Sequence, residues 1–143
     1  LMGGAYFSGK GWPIIRARPF NHIGPRQTET FVVPAFAKQV ASIELGLQEP
    51  VIRVGNLSAR RDFSDVRDVV HAYQLLMEQG ALGEVYNVGQ GKSYAIQAIL
   101  DILLAASRVA IRVVVDPERF RPNDTPDSYC DNSKIRNATG WEP

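Results

Sequence analysis

The sequence predicts an α/β fold, and three observations carry that prediction. Apolar residues recur at helical spacing in several stretches, short Val- and Ile-rich runs lie between them, and Gly, Pro and Asn punctuate the junctions. Strands that alternate with helices define the class. The chain has 143 residues, of which 45% are hydrophobic and 22% charged. Those are globular values, and they exclude disorder, coiled coil and collagen for the chain as a whole. A formal net charge of +1 gives no reason to expect a nucleic-acid partner. No apolar run approaches the ~18 residues of a membrane span, so no membrane partner is expected either. The single cysteine, Cys130, cannot build a disulfide framework, and a cytoplasmic location is expected.

Leu1 to Lys10 reads as the tail of a small-residue helix, weakened by Gly3 and Gly4 and closed by Gly9-Lys10-Gly11. Trp12 to Arg18 reads as a short buried strand carrying Ile14, Ile15 and Ala17, which Pro19 stops. Asn21 to Pro25 has the turn chemistry of a loop. Phe31, Val33, Phe36, Ala37, Val40, Ala41 and Ile43 approximate a helical stripe that ends at Gly46, with Pro34 tolerated in the first turn. Val51 to Val54 is a strand broken by Gly55-Asn56, and Arg61 to Ser64 reads as another. From Asp65 the period turns helical through Val66, Val69, Val70, Tyr73, Leu76 and Met77, with Ser64 or Asp65 as cap and Gly80 as stop. Glu84 to Val88 is a strand between glycines, and Ser93 is placed to cap a helix carrying Ile96, Ile99, Leu100, Leu103 and Leu104. Arg112 to Val115 is a further strand, Phe120 to Asp131 a loop rich in Pro and Asp, and Lys134 to Thr139 a short helix. The strands at Ile14 and Val85 are expected to belong to a parallel sheet.

Chemistry-bearing motifs are few. No Gly-rich phosphate loop follows a first strand, and Gly89-Gln90-Gly91 reads as a plain turn and helix entry. Tyr6 and Lys10 have the Tyr-x-x-x-Lys spacing, but glycines flank Lys10 and no upstream strand anchors Tyr6, so the match reads as accidental. His22 and His71 lack metal-ligand spacing. Asp62, Asp65 and Asp68 read as carboxylates that cap a helix N-terminus and complement its dipole, and no metal site is expected. No nucleophile or acid/base pair can be assembled, so no catalytic residue is assigned. What remains is a set of Arg and polar residues at segment ends. Arginine supplies 12 of the 16 basic residues, and its planar fork suits phosphate and carboxylate. Asn21 follows a strand end, where open α/β sheets bind ligands. Arg61 lies beside the Gly55-Asn56 break, and Arg119, Arg121 and Asp124 fall in the Pro-rich loop.

In order and at matching spacing, several strings carry a resemblance. They are Arg18-Pro19-Phe20-Asn21-His22-Ile23-Gly24-Pro25-Arg26, Glu29-Thr30-Phe31-Val32, Gly55-Asn56-Leu57 with Arg61-Asp62-Phe63, and Asp65-Val66-Arg67-Asp68-Val69-Val70. Glu84-Val85-Tyr86-Asn87-Val88-Gly89, Arg121-Pro122-Asn123-Asp124 and Gly140-Trp141-Glu142-Pro143 continue it. The chain resembles the extended short-chain dehydrogenase/reductase family, the NAD-dependent epimerase/dehydratases. More narrowly, it resembles the members that act on GDP-mannose derivatives, over about its full length. Two activities compete within that group: reduction of GDP-4-dehydro-6-deoxy-D-mannose, and 4,6-dehydration of GDP-mannose. Ala35, Phe63 and Asp124 depart from the dehydratase pattern, and the wording around Asn56-Leu57-Ser58 and Asp65 to Asp68 is closer to the reductases.

The resemblance implies the C-terminal portion of a Rossmann-like parallel sheet plus a small mixed α/β substrate-binding subdomain. Residues 1–29 and 65–90 would be remnants of the Rossmann-like part, and residues 30–64 and 91–143 mainly the substrate-binding part. It implies a GDP-sugar substrate, NAD or NADP as cofactor, and a homodimer for the intact enzyme. Asn21 would contact the sugar or phosphates, and Val32, Val54 and Gly55 would line the nucleotide-sugar cleft. Arg61 would hold the diphosphate, Arg121 and Asp124 would read the nucleoside, and Pro19 and His22 would lie against the nicotinamide. The family's Gly-rich loop and its Ser/Thr-Tyr-Lys set lie upstream of what corresponds to Leu1. The chain alone is therefore expected to be catalytically inert and not to hold the cofactor by itself. A non-catalytic nucleotide-sugar-binding module is the alternative. The family's sheet has more strands than this chain supplies, so the strand at Ile14 is expected to expose apolar surface and promote self-association.

Overall fold

The computed structural model describes residues 2–120 and 125–143. The elements run α1 (Met2–Lys10), β1 (Arg16–Pro19), β2 (Asn21–Ile23), α2 (Val32–Glu44), β3 (Val51–Val54), β4 (Arg60–Asp65), α3 (Val66–Gln79) and β5 (Val85–Val88). They continue with β6 (Ser93–Ala95), α4 (Ile96–Ala106), β7 (Arg112–Val115), a 3-10 turn at Pro117–Arg119, β8 (Asp127–Ser128) and α5 (Ser133–Thr139). The alternation is that of an α/β protein, and the pairs β1–β5, β2–β4, β3–β7 and β4–β8 are all parallel. The chain groups into two compact units. The first comprises Leu1–Gly24, Asp62–Ser93 and Tyr129–Pro143, and the second Pro25–Arg61 and Tyr94–Ser128. Tyr129–Pro143 thus group with the first unit.

In the first unit, β1 and β5 pair in the register Arg16 to Val85 through Pro19 to Val88. Against them packs the buried face of α3, made of Val69, Ala72 and Leu76 at helical spacing, together with Tyr86, Val88, Ile135 and Trp141. Trp141 is 1% exposed, and its indole N–H donates to the Asp68 carbonyl at 3.0 Å. The terminal Gly-Trp string therefore closes this core and locks α5 onto α3. Asp65 caps α3 by accepting from the Arg67 amide at 2.8 Å. The Arg67 guanidinium, foremost, and then that amide hold the Asp65 carboxyl well below the usual carboxylate range.

In the second unit, α2 buries Phe36, Val40 and Ile43, and it packs on α4 and β3. Gln39 clamps it to the strand, accepting from the Arg53 amide at 3.1 Å and donating to the Arg53 carbonyl at 3.4 Å. Ile52, Val54, Ala59, Ile96 and Leu100 complete the buried apolar set. Glu44 accepts from the Arg108 amide at 2.8 Å and the Ser107 hydroxyl at 3.2 Å, which lowers its pKa, the amide being the larger cause.

Four expectations change. The strand expected over Trp12 to Arg18 begins only at Arg16, and Ala17, Arg18 and Pro19 are exposed. Among the described residues β1 pairs with β5 alone. Pro19 lies within this strand as its last member, which costs no bond to β5 because its nitrogen faces away from that strand. Asn21 to Ile23 is not a loop but strand β2, paired with Phe63 to Asp65. Ser93 does not cap α4: it is buried in β6, and Ala95 holds the cap position without a side-chain bond. The first amides of α4 find main-chain acceptors instead, Ile96 at the Ala59 carbonyl (2.9 Å) and Gln97 at the Leu57 carbonyl (3.0 Å).

Candidate functional site

In the first unit, the carboxyl ends of β1 and β5 lie together, and that is where parallel sheets bind ligands. Pro19 is exposed there, the Phe20 amide donates to the Val88 carbonyl at 2.8 Å, and Asn21 opens β2 as an exposed residue. His22 Nδ1 lies 3.0 Å from the Phe20 carbonyl. A carbonyl only accepts, so Nδ1 carries the hydrogen and, in the neutral ring, Nε2 is the acceptor. Pro19, Asn21 and His22 are thereby gathered at one strand end.

Sequence reasoning missed the junction next to them. Asp62 was grouped with Asp65 and Asp68 as a helix-end carboxylate, yet it is 0% exposed and caps nothing. Its Oδ1 accepts from the Gln90 amide at 2.8 Å, and its Oδ2 accepts from the amides of Gly91 (2.9 Å) and Cys130 (3.2 Å). The Gly89-Gln90-Gly91 turn leads into β6, not directly into a helix, and it is built around this carboxylate. Gly89 has no room for a side chain: a Cβ would lie 2.7 Å from Cys130 Sγ and 2.9 Å from Asp62 Oδ2. Burial, then the neighbouring Asp62 charge, push the Cys130 thiol up to about 12. Asn132 adds a bond from its side-chain amide to the Gly89 carbonyl at 2.8 Å. The signal in the sequence was an Asp inside a strand rather than before a helix.

In the second unit, Val32 starts α2 and is half-buried. Val54 ends β3 with no exposed surface, so its side chain backs the strand end and presents nothing outward. Its carbonyl accepts from the Asp116 amide at 2.8 Å. Gly55 follows directly, pressed against the 3-10 turn. Arg61 Nη1 donates to the carbonyls of Thr125 at 2.6 Å and Arg60 at 2.7 Å, which fastens β4 to the chain leading into β8. Val54, Gly55 and Arg61 are all in this unit. Arg121 and Asp124 lie outside the described residues.

Tyr6 and Lys10 belong to a surface cluster on α1. The Tyr6 ring stacks on Trp12 with centroids 4.9 Å apart, and Lys10 Nζ sits over both rings at 5.4 and 5.6 Å. Lys10 there faces aromatic π-systems. Asp62 and Asp65 serve different amides, and among the described residues no three potential ligands converge. No helix among the described residues is long and apolar enough to cross a membrane. A surface depression beside α5 is lined by Ser133, Arg136, Asn137, Gly140, Trp141 and Glu142, and it includes none of the residues assigned from sequence.

Comparison with known proteins accounts for this arrangement. A GDP-mannose 4,6 dehydratase family model matches residues 1–143. The chain is 38% identical over 134 residues to a GDP-6-deoxy-D-mannose reductase of Pseudomonas aeruginosa, covering 94% of this chain and 44% of the relative. It is 29% identical over 142 residues to GDP-mannose 4,6 dehydratase 2 of Caenorhabditis elegans, covering 87% and 37%. The structure of RMD from Pseudomonas aeruginosa complexed with NADPH superposes with a TM-score of 0.92 at 35% identity, covering 99% of this chain and 47% of that one. The chain thus spans less than half the length of the relatives it matches. The parallel pairing, the ordered motifs and these matches agree: the chain belongs to the GDP-mannose 4,6-dehydratase family of epimerase/dehydratase-type oxidoreductases.

Proposed function

We propose that this chain is the nucleotide-sugar-binding part of an NAD(P)-dependent GDP-sugar oxidoreductase, of the type that reduces GDP-4-dehydro-6-deoxy-D-mannose. The observation that carries this reading is the 38% identity with the Pseudomonas aeruginosa reductase, against 29% with the nematode dehydratase. In this reading the first unit is the Rossmann-like portion and the second the substrate-binding portion. Arg61 holds the diphosphate, Asn21 the sugar or phosphates, and Arg121 and Asp124 the nucleoside. Val32 and Gly55 line the cleft, with Val54 packed behind Gly55. A dianionic diphosphate favours a fixed guanidinium, and two carbonyls fix that of Arg61.

Pro19 and His22 fit a nicotinamide: an exposed, flat apolar ring at a strand end, beside an imidazole whose tautomer the Phe20 carbonyl sets. NAD or NADP supplies the hydride when bound. The intact enzyme is a cytoplasmic homodimer. The family model, which spans the whole chain, favours GDP-mannose dehydration as the second reading.

Calorimetric titration with GDP tests the binding role. The chain is expected to bind GDP more tightly than UDP, and Arg61→Ala and Arg121→Ala are each expected to weaken it. Variants that bind GDP like the parent would remove both residues from the site. An enzyme containing this segment is expected to oxidise NADH or NADPH when given the 4-keto sugar nucleotide. Conversion of GDP-mannose without net cofactor consumption would establish the dehydratase instead.

A further inference from the structure

The 3-10 turn after β7 carries an arginine that none of the roles above uses. β3 and β7 pair in parallel from Val51–Arg112 to Val54–Val115, so Gly55 and Asp116 both leave the carboxyl ends of adjacent strands. Three bonds shape the turn that follows. The Asp116 amide donates to the Val54 carbonyl (2.8 Å), the Arg119 amide donates to the Asp116 carbonyl (3.1 Å), and Asp116 Oδ1 accepts from the Glu118 amide (3.1 Å). Gly55 lets this turn close onto the strand end, since a Cβ there would lie 2.6 Å from the Arg119 carbonyl oxygen. The second oxygen of Asp116 accepts from Arg119 Nε at 3.4 Å. Arg119 is thus held by its inner edge, and no described residue bonds its terminal nitrogens. Its side chain remains 50% exposed.

We infer that Arg119 is a diphosphate-binding residue: its outer Nη pair is left unbonded by the described residues on a turn whose backbone packs on Gly55 at the carboxyl ends of β3 and β7. This deepens the GDP-sugar reading and rests on it. Carboxyl ends of parallel strands are where such ligands gather. A guanidinium engaged at Nε keeps its two terminal nitrogens as a fork that matches two oxygens of a phosphate. Tethering by Asp116 removes part of the rotamer freedom that a loose arginine loses on binding.

The test titrates GDP, inorganic pyrophosphate and guanosine separately by calorimetry, with thermal melts to confirm folding. Arg119→Ala is expected to weaken GDP and pyrophosphate by about tenfold or more, the scale of one charge-assisted bond, while guanosine is unaffected. Arg119→Lys, a point charge without the fork, is expected to fall between. Arg112→Ala removes the same charge from the opposite end of the strand pair and should bind like the parent. Equal loss in Arg112→Ala, or parent-like pyrophosphate binding by Arg119→Ala, overturns the inference. If the parent binds pyrophosphate but not GDP, and Arg119→Ala binds neither, Arg119 stands and the GDP-sugar reading falls. A parent that binds neither ligand overturns both.

Discussion

Replacing Asp62 with asparagine probes the buried junction behind the strand end. The side chain keeps its shape, but one of its two acceptor oxygens becomes a donor. With the amide nitrogen at the Oδ2 position, the Gly91 and Cys130 amides lose their acceptor; with the amide flipped, the Gln90 amide loses it. At least one buried N–H is orphaned in either orientation, at about 1–3 kcal/mol. The bonds that survive drop from charge-assisted to neutral strength, roughly 1 kcal/mol each. Relief of the desolvated carboxylate offsets part of this, leaving a net loss of about 3 kcal/mol. For a chain of this length that corresponds to roughly 10 °C in Tm. Urea or thermal unfolding reads the stability, and hydrogen exchange at Gln90, Gly91 and Cys130 reads the location. A variant within about 0.5 kcal/mol of the parent, the range of ordinary surface substitutions, would show that the carboxylate does not organise this turn.

Gly89→Ala should destabilise by about 1–3 kcal/mol, because its Cβ meets both Cys130 Sγ and Asp62 Oδ2; a parent-like melt would contradict this. The raised Cys130 pKa gives a pH signature. The folded thiol stays protonated to about 12, while the unfolded one ionises near 9, so its contribution is complete below pH 9 and lost as pH rises towards 12. Cys130→Ala should flatten that alkaline limb, and alkylation of the native parent at pH 9 should be slow. The lowered Asp65 pKa acts in the opposite sense: its stabilisation is present above the ordinary carboxylate pKa and lost as pH falls below it. Asp65→Asn should therefore show a shallower acid limb in pH-dependent melts. Trp141→Ala should cost about 3–5 kcal/mol, since the ring is core and its N–H ties the tail to α3.

Elements with a strong local pattern were legible in the sequence. α3 has an apolar face at helical spacing, Asp65 at its cap and Gly80 at its end, and each signal points the same way. The strands β3, β5 and β7 were legible as short Val-rich runs between turn residues. What was not legible depended on partners far along the chain. β2 contains Asn21 and His22, residues with little strand propensity, and exists because Phe63 to Asp65 pair with it. α4 begins without a side-chain cap because the carbonyls of Leu57 and Ala59 receive its first amides. Asp62 looks like a helix-end carboxylate until Cys130, which is 68 positions away, arrives beside it. The candidate site was legible only as isolated polar residues at segment ends. Arg119 was legible only as one such residue; its tether to Asp116 and the closeness of Gly55 to its turn leave no local mark.

On the side of β1 away from β5, two prolines set which main-chain groups a neighbouring strand can use. The amides of Arg16 and Phe20 point at β5, as does the Ile14 carbonyl, so even-numbered residues face the partner and odd-numbered ones face away. On that outer side Pro13 and Pro19 have no N–H, which leaves Ile15 and Ala17 as the only donors between them. An incoming strand can dock over a window of about two donors and then runs out of partners. The two prolines therefore shorten the run of main-chain donors that any neighbouring strand on that side of β1 can use.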